Sequence, residues 1–221
     1  NNVVFVDFTQ QTKLDDSFTA TSGQTVTITT SGATGARISG ARDLYQGTAA
    51  NQPILTIAAA GNYLTFDGSN DYLKAAAFAL AQPETVYFVG SQVTWTSTDR
   101  LYDGNTGASM TLRQVVGTPQ LGITAGSSLN GASLTLATNG VVTSVFNGAS
   151  SAVRVNRTAA ITGDAGVLGN GGGFTLGSAN DGTLNANITA QEVVVYSGAH
   201  DTATQDRVIR YLARKHRLPA V

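Results

Sequence analysis

The sequence predicts an all-β protein, an antiparallel β-sandwich of the jelly-roll type followed by one short C-terminal α-helix. Short runs rich in Thr, Val, Phe and Tyr recur along the 221 residues, as pleated and half-buried strands require. Segments rich in Gly and Asn, which form tight turns, separate these runs. Helical periodicity is confined to the C-terminus, so the pattern favours a sandwich over a parallel α/β sheet.

The predicted strands are spread over the whole chain. Four Asn-Gly pairs, which tolerate the positive φ of a tight hairpin turn, begin at residues 130, 139, 147 and 170. The stretch YLTFDGSNDYL is typical of a strand, a polar turn and a second strand. The other predicted strands are 3–6, 25–29, 85–93, 109–115, 121–124, 133–136, 141–146, 152–155, 174–176 and 188–196.

The helix is predicted over residues 202–217, and Pro219 ends it. Thr202 and Gln205 have the spacing of a capping box, with Thr202 as the N-cap. The basic residues of the last turn suit the negative end of the helix dipole and predict a solvated helix end. The face expected to pack on the sandwich consists of Val208, Ile209, Leu212 and His216.

The first 50 residues differ in composition from the rest, being rich in Ser, Thr and Gly with only a weak strand pattern. A linker, an attachment segment or additional strands would each fit this composition. Apolar positions persist in it, so we expect residues 1–50 to be a β-rich extension packed on the main domain, residues 51–221. No internal repeat is evident.

Composition excludes several classes of protein. Charged residues make up only 12% of the chain and the formal net charge is -1, so no global field attracts nucleic acid or an anionic membrane. The chain has no cysteine, which excludes disulfides and thiolate metal sites. No apolar run reaches the roughly 18 residues of a membrane span. The N-terminal residues show no signal-peptide pattern, and we expect the numbering to begin at a trimmed or processed end.

Four segments in order carry a resemblance to a known family: YLTFDGSNDYL, TVYFVGSQV, SVFNGASSAVRVN and the final stretch from FTLGSANDG to the helix. Over residues 51–218 the chain resembles the laminin G-like, concanavalin A-like jelly roll, particularly the versions in bacteriophage structural proteins and bacterial surface proteins. In this chain Asn156 is followed by Arg157, whereas the family often has a second Asn-Gly turn there. The resemblance implies two antiparallel sheets, one of them concave, and no single function.

We expect the protein not to be an enzyme. Glycosidases of the family that it resembles carry a Glu-x-Asp-x-Glu strand motif, and glycoside hydrolysis needs two carboxylates that face one substrate. The chain has only two glutamates, Glu84 and Glu192, and no such motif. Its two histidines accompany no nucleophile motif.

Candidate sugar-binding residues combine an aromatic face with planar polar groups, which saccharides require. Trp95 precedes a polar loop. Arg113, Arg154 and Asn156 lie on predicted strands and could face the concave sheet. Each has an alternative role, as a rim or core aromatic or as an ordinary solvent-facing strand residue. The predicted sugar-binding set is Trp95, Tyr102, Asp103, Asn105, Arg113, Arg154 and Asn156.

Calcium is the cation that the Asp-rich loops would hold, because it binds hard oxygen ligands from neighbouring loop residues. The candidate ligands are Asp67, Asn70 and Asp71, and none of the loops is an EF-hand. Asp-Gly and Asn-Asp clusters also form turns without any metal, and this alternative stays open. Two further candidate groups are Asp99, Asp103 and Asn105, and Asn180 with Asp181.

The expected function is a non-catalytic, lectin-like module that binds a host surface glycan from a phage or phage-like particle tail, fibre or head spike. The family resemblance implies the virion surface as its location, or otherwise an extracellular or cell-surface location. The alternatives are a structural or decoration module that binds another virion protein, and a domain of a secreted bacterial adhesin. Neither the glycan nor the oligomeric state follows from the sequence.

Overall fold

The computed structural model describes residues 3–7, 25–26, 44–58, 61–104, 110–169 and 173–219. These residues form sixteen strands and one α-helix, with short 3-10 turns at Ala49–Asn51 and Gly148–Ser150. The elements are β1 (Val3–Asp7), β2 (Thr25–Val26), β3 (Leu44–Tyr45), β4 (Ile54–Thr56), β5 (Tyr63–Asp67), β6 (Leu73–Ala75), β7 (Glu84–Gln92), β8 (Arg100–Gly104), β9 (Thr111–Gln114), β10 (Gln120–Thr124), β11 (Ser128–Ser133), β12 (Gly140–Phe146), β13 (Ser151–Val155), β14 (Ile161–Gly163), β15 (Phe174–Leu176), β16 (Asn187–Ser197) and α1 (Thr202–Lys215).

The strands form two antiparallel sheets packed face to face. The nine-stranded sheet has the order β14-β13-β12-β7-β16-β5-β4-β2, and β1 also pairs with β16. The seven-stranded sheet has the order β11-β10-β9-β8-β15-β6-β3. Together with the C-terminal helix, these sheets confirm the predicted all-β jelly-roll sandwich.

The long strand β16 organises the nine-stranded sheet. It pairs with β7 on one side, while its other side pairs first with β5 and then with β1. A bulge between Ala190 and Glu192 shifts the alternation of its side chains. Ile188 and Ala190 before the bulge pack in the core, whereas after it the core residues are odd-numbered, beginning at Val193. Glu192 is therefore directed to the outer face of the sheet.

The main core lies between the two sheets, and a second, smaller core lies outside the nine-stranded sheet. On β7, Val86 and Phe88 belong to the main core, while Tyr87 and Val89 belong to the second. Burial on both faces explains why the sequence of β7 is a nearly continuous apolar run. The second core is closed by α1, whose residues Ile209 and Leu212 are buried there; its sheet residues are Tyr87, Val89, Val141 and Val194.

Helix α1 confirms the predicted apolar face but begins differently. The N-cap is Asp201 and not Thr202, because the Asp201 carboxylate accepts the Thr204 backbone N–H at 2.7 Å. Gln205 donates its side-chain amide to the His200 carbonyl oxygen at 2.8 Å. Within the described part of the chain, no helix is long and apolar enough to cross a bilayer.

Strands from the first 50 residues join both sheets. β1 pairs with β16 and β2 with β4 in the nine-stranded sheet, and β3 pairs with β6 in the seven-stranded sheet. Of the strand predicted over residues 25–29, only Thr25–Val26 is described. The domain boundary after residue 50 stays a prediction.

Three further local predictions are wrong. The strand predicted over residues 133–136 does not form, because β11 ends at Ser133 and the residues after it are not in a strand. The segment Arg100–Gly104, expected as part of a polar loop, is strand β8, whose Asp and Gly content conceals it. The pair Asn130–Gly131, expected as a hairpin turn, lies inside β11, and the chain reverses at residues 125–127 instead. A register shift between Leu121 and Gly122 of the neighbouring strand accompanies Gly131, whose φ is +129°.

Candidate functional site

The outer face of the seven-stranded sheet carries a polar row, unlike the outer face under α1. The core-facing residues of β9 and β10 are Leu112, Leu121 and Ile123, so the residues between them point outward. Arg100 on β8 lies opposite Arg113 on β9. Beyond this pair, the same row continues through Gly122 on β10 to Asn130 on β11.

Asp103 is the buried anchor of this face and is fully shielded from solvent. Its Oδ1 accepts the Gly104 N–H at 2.9 Å and the Thr111 hydroxyl at 2.8 Å. Its Oδ2 forms an ion pair with Arg100 and accepts the Asn180 N–H at 3.0 Å. The carboxylate thus fixes the Arg100 side chain and the loop that contains Asn180.

Arg113 is half-buried and forms no ion pair with any residue that the structure describes. Its guanidinium donates to the Ser128 hydroxyl at 2.9 Å, and the Thr124 hydroxyl lies 3.3 Å from the same Ser128 oxygen. Burial and the neighbouring Arg100 charge both lower the pKa of Arg113. This arginine therefore lies beside a like charge without a carboxylate of its own.

Gly122 makes room for the side chain of Asn130. A Cβ at residue 122 would lie 2.1 Å from Asn130 Oδ1 and 2.9 Å from Val115 Cγ1. Since Gly122 is the register partner of both Arg113 and Asn130, the exposed amide lies across β10 toward the arginine. We call this surface the Arg113 face; its residues are Arg113, Gly122, Thr124, Ser128 and Asn130.

Trp95 lies at one end of the same sheet and is half-buried. Its indole Nε1 donates to the Gln120 carbonyl oxygen at 3.5 Å, at the start of β10. The loop that carries it is held by Gln114, whose amide oxygen accepts the Thr96 N–H at 2.9 Å and whose amide nitrogen donates to Gln92 at 2.8 Å. The structure thus places Trp95 beside β10 but shows no contact with Arg113.

Tyr102 is not in a surface groove, where the sequence interpretation placed it. It is fully buried in the main core, and its ring stacks on Phe174 with centroids 5.2 Å apart. A register shift in β8 between Arg100 and Tyr102 directs Arg100 outward and Tyr102 inward. Asn105 lies outside the described residues.

Arg154 and Asn156 lie on the opposite side of the molecule, in and after β13 of the nine-stranded sheet. Arg154 is 3% exposed and forms an ion pair with Asp206 of α1. Asn156 adopts a left-handed conformation with φ of 53°, and its Oδ1 accepts the Val141 N–H at 2.9 Å. The structure therefore separates these two residues from Asp103, Arg113 and Trp95, which share the seven-stranded sheet region.

The predicted calcium ligands form a self-contained turn. Asp67 Oδ1 accepts the backbone N–H groups of Ser69 at 2.7 Å and Asn70 at 3.2 Å. Asp71 Oδ2 accepts the Asp67 N–H at 3.0 Å, and burial raises the pKa of Asp71 to about 6. Among the described residues, no three His, Cys, Asp or Glu side chains cluster in a way that could hold a metal ion. A cation here would compete with these backbone bonds, and calcium binding stays a prediction.

The two glutamates lie on opposite faces of the nine-stranded sheet. Glu84 is fully buried on the core side, and burial raises its pKa to about 8. Glu192 is fully buried beneath α1, where its carboxylate lies 2.5 Å from His216 Nε2 and 3.1 Å from Lys215 Nζ. They cannot act together on one substrate, as a pair of hydrolytic carboxylates must.

Sequence reasoning missed Arg100, Thr124, Ser128 and Asn130. The signal for the last three is the alternation of polar and apolar residues in QLGIT and SLNGAS, which assigns the polar positions to an outer face. The Asn-Gly pair inside β11 obscured this alternation because it also matched a turn.

Comparisons with known proteins support the fold. No family model matches the chain, and no curated protein matches it. Domain 4 of AbnA, a GH43 extracellular arabinanase from Geobacillus stearothermophilus, solved in complex with arabinotriose, is similar with a TM-score of 0.56 and 13% identity over 72% of this chain and 81% of that one.

Two other similar structures belong to larger proteins. Trypanosoma rangeli sialidase matches with a TM-score of 0.55 and 14% identity, over 80% of this chain and 32% of that one. The binding domain of botulinum neurotoxin serotype D/C VPI 5993 matches with a TM-score of 0.51 and 12% identity, over 68% of this chain and 43% of that one. The chain thus spans about a third of the sialidase. At such identities the likeness shows a common jelly-roll sandwich.

Proposed function

We propose that the protein is a non-catalytic carbohydrate-binding module and that the Arg113 face is its binding surface. One observation carries the proposal: an exposed polar row on the seven-stranded sheet includes an arginine with no described ion-pair partner. On the other sheet, α1 covers the outer face over a second apolar core that includes Tyr87, Val89, Val141 and Val194. The Arg113 face, by contrast, combines a regular strand scaffold with outward-facing donors and acceptors around an arginine.

The chemistry of this face suits a saccharide. The Thr124 and Ser128 hydroxyls and the Asn130 amide can each donate and accept, as recognition of sugar hydroxyls requires. Arg113 adds a planar group with several N–H donors. Trp95, half-buried beside the start of β10, offers an apolar aromatic surface at the end of the same strand.

The structural comparisons support a glycan ligand by analogy. Domain 4 of the Geobacillus arabinanase is described in complex with arabinotriose, and this chain covers 81% of that domain. The Trypanosoma sialidase is described in complex with sialic acid. The absence of catalysis is proposed from the two glutamates, which are buried on opposite faces of one sheet.

We further propose that the module is carried on a phage or phage-like particle and binds a host surface glycan. The sequence resemblance over residues 51–218 and the low charge support this location. Immunogold labelling of particles from the source organism tests it, and labelling of the bacterial cell surface instead would favour an adhesin.

Calorimetric titration of the protein against surface polysaccharide from the source organism and its relatives tests glycan binding. We expect saturable binding, and a loss of about tenfold in affinity in Ser128→Ala and in Asn130→Ala, the worth of one or two hydrogen bonds. The control Ser150→Ala changes an exposed serine in the Gly148–Ser150 turn and should leave affinity unchanged.

Repeating the titration with calcium and with a chelator tests whether the Asp67–Asp71 turn holds a metal that binding needs. A flat titration against every polysaccharide in both conditions would contradict the proposed function and favour a decoration module. Equal affinity of the Ser128 and Asn130 variants and wild type would place the binding surface elsewhere.

A further inference from the structure

We propose that the Arg113 face selects acidic saccharides, sugars that carry a singly charged anionic group. The inference rests on the proposed carbohydrate binding and names its ligand class. The structural basis is the pair of arginines placed directly opposite each other on β8 and β9, of which only Arg100 has a counter-ion in the described part of the chain.

The arrangement of Arg100 and Arg113 carries a cost in the free protein. Like charges directly opposite on neighbouring antiparallel strands destabilise a sheet. Asp103 offsets this cost for Arg100 through their ion pair. No described carboxylate does the same for Arg113, so one positive charge on this face is uncompensated by the residues that the structure describes.

Asp103 has no capacity left for Arg113. Both of its oxygens already accept two hydrogen bonds each, from Gly104 and Thr111 on one oxygen and from Arg100 and Asn180 on the other. The carboxylate is also completely buried, so it cannot turn toward the neighbouring strand without breaking these bonds. It is a fixed counter-ion for Arg100.

A second acidic residue, Asp181, also interacts electrostatically with Arg100. The exposed Asp181 has its pKa lowered mainly by hydrogen bonds from Thr183 and in part by Arg100. The electrostatic partner of Arg113, by contrast, is Arg100, whose positive charge adds to burial in lowering the Arg113 pKa. An anion arriving from solvent would therefore gain most at Arg113.

The unused donors of Arg113 suit an anionic oxygen pair. Among the described residues, its guanidinium donates through Nη2 to one acceptor, the neutral Ser128 hydroxyl, while its Nε is buried, so the remaining terminal N–H groups are the donors open to a ligand. A guanidinium presents its N–H groups as a planar fork that matches two oxygens of one anionic group. The hydroxyls of Thr124 and Ser128 and the amide of Asn130 surround this fork and would bind the sugar ring that bears the anion.

Carboxylate sugars and monosulfated sugars share this chemistry, and matched pairs distinguish them. The first pair is oligogalacturonate and its methyl ester, which keeps the ring and removes the charge. The second pair is a monosulfated galacto-oligosaccharide and its desulfated form. An array of acidic and neutral glycans, measured first, supplies a third pair: its strongest acidic binder and the chemically neutralised form of that glycan.

We expect the charged member of at least one pair to bind about tenfold or more tightly than its neutral member. Arg113→Gln should abolish this preference, and Arg113→Lys should restore part of it because the charge returns without the fork. The control Arg207→Gln removes one charge from the exposed side of α1, on the other face of the molecule, and should leave the preference intact.

The outcomes separate the two proposals. If neutral and charged members bind equally, the acidic preference is overturned while carbohydrate binding stands. If no glycan of either kind binds, the proposed function fails and the preference fails with it. Thermal unfolding of each variant checks folding; should Arg113→Gln not fold, Ser128→Ala must then weaken the charged members more than the neutral ones, and an equal loss overturns the inference.

Discussion

The two outer faces of the sandwich place strand arginines in opposite situations. Arg154 on β13 is 3% exposed and pairs with Asp206 of α1, whereas Arg113 on β9 is half-buried and pairs with no described carboxylate. Both residues belong to strands of similar polar and apolar alternation. The difference shows that the elements covering a strand, and not the residues of the strand itself, determine whether its arginine is buried by packing or is available to bind a ligand.

Helix α1 causes this difference. Its apolar residues close the second core over β7, β12 and β16, and its neighbouring polar residues supply partners for the charges beneath. On the seven-stranded sheet, Asp103 neutralises Arg100 alone. Substitutions on the helix-covered face should therefore lower stability, and substitutions on the Arg113 face should lower binding.

The largest effect is expected from Glu192→Ala beneath α1. The substitution leaves His216 and Lys215 without the carboxylate that both contact in a fully buried site. Breaking a buried ion pair costs about 3–5 kcal/mol of the free energy of unfolding. Urea denaturation measures this loss, and a change below about 1 kcal/mol would show that the pair does not hold the helix. Glycan affinity of the folded variant should stay unchanged.

The next effect is expected from Arg154→Gln. It removes the ion pair with Asp206 and the Nε hydrogen bond to the Asn156 carbonyl oxygen at 3.0 Å. Since Asp206 is partly exposed, we expect a loss of about 2 kcal/mol, less than for Glu192. Denaturation and calorimetry on one sample measure both properties. Reduced glycan affinity with unchanged stability would reverse the assignment of the two faces.

Glu84, in the core between the two sheets, allows a test through the pH dependence of stability. Burial raises the pKa of Glu84 to about 8 from about 4.5, so its folded state holds the proton more tightly. Its contribution to stability is fully present below pH 4.5 and is lost as the pH rises to about 8, with a slope of about 1.4 kcal/mol per pH unit.

The comparison with Glu84→Gln isolates this group, because all other titrating residues are shared. Between pH 6 and 8, the free energy of unfolding of the wild type, measured in urea, should fall relative to that of the variant as the pH rises. Once Glu84 is ionised in the folded state as well, the two free energies should have the same pH dependence. Equal slopes across this range would show that Glu84 is ionised in the folded protein at neutral pH.

The smallest effect on stability is expected from Arg113→Gln. The substitution breaks one half-exposed hydrogen bond to Ser128 and relieves repulsion from Arg100, so we expect a change within about 0.5 kcal/mol. Thermal unfolding next to Arg154→Gln measures the contrast between the two arginines. A loss as large as that of Arg154→Gln would assign Arg113 a structural role.

The sequence predicted the architecture because alternation and turn residues are local signals. The sandwich, the helix and its packing face through Ile209 and Leu212 are confirmed. The location of the site residues depended on features that no local pattern reveals. The bulge in β8 turned Tyr102 into the core, and the position of α1 buried Arg154. Asn130 was hidden because an Asn-Gly pair in a bulged strand resembles a turn.

The most direct test of the central claim is an NMR titration that follows the side-chain Nε–Hε resonances of the arginines as a binding glycan is added. Binding on the Arg113 face predicts large shifts for Arg113, smaller shifts for Arg100 and none for Arg154, whose Nε donates to the Asn156 carbonyl oxygen beneath α1. Shifts centred on Arg154 with Arg113 unchanged would contradict the claim and move the binding surface to the other sheet.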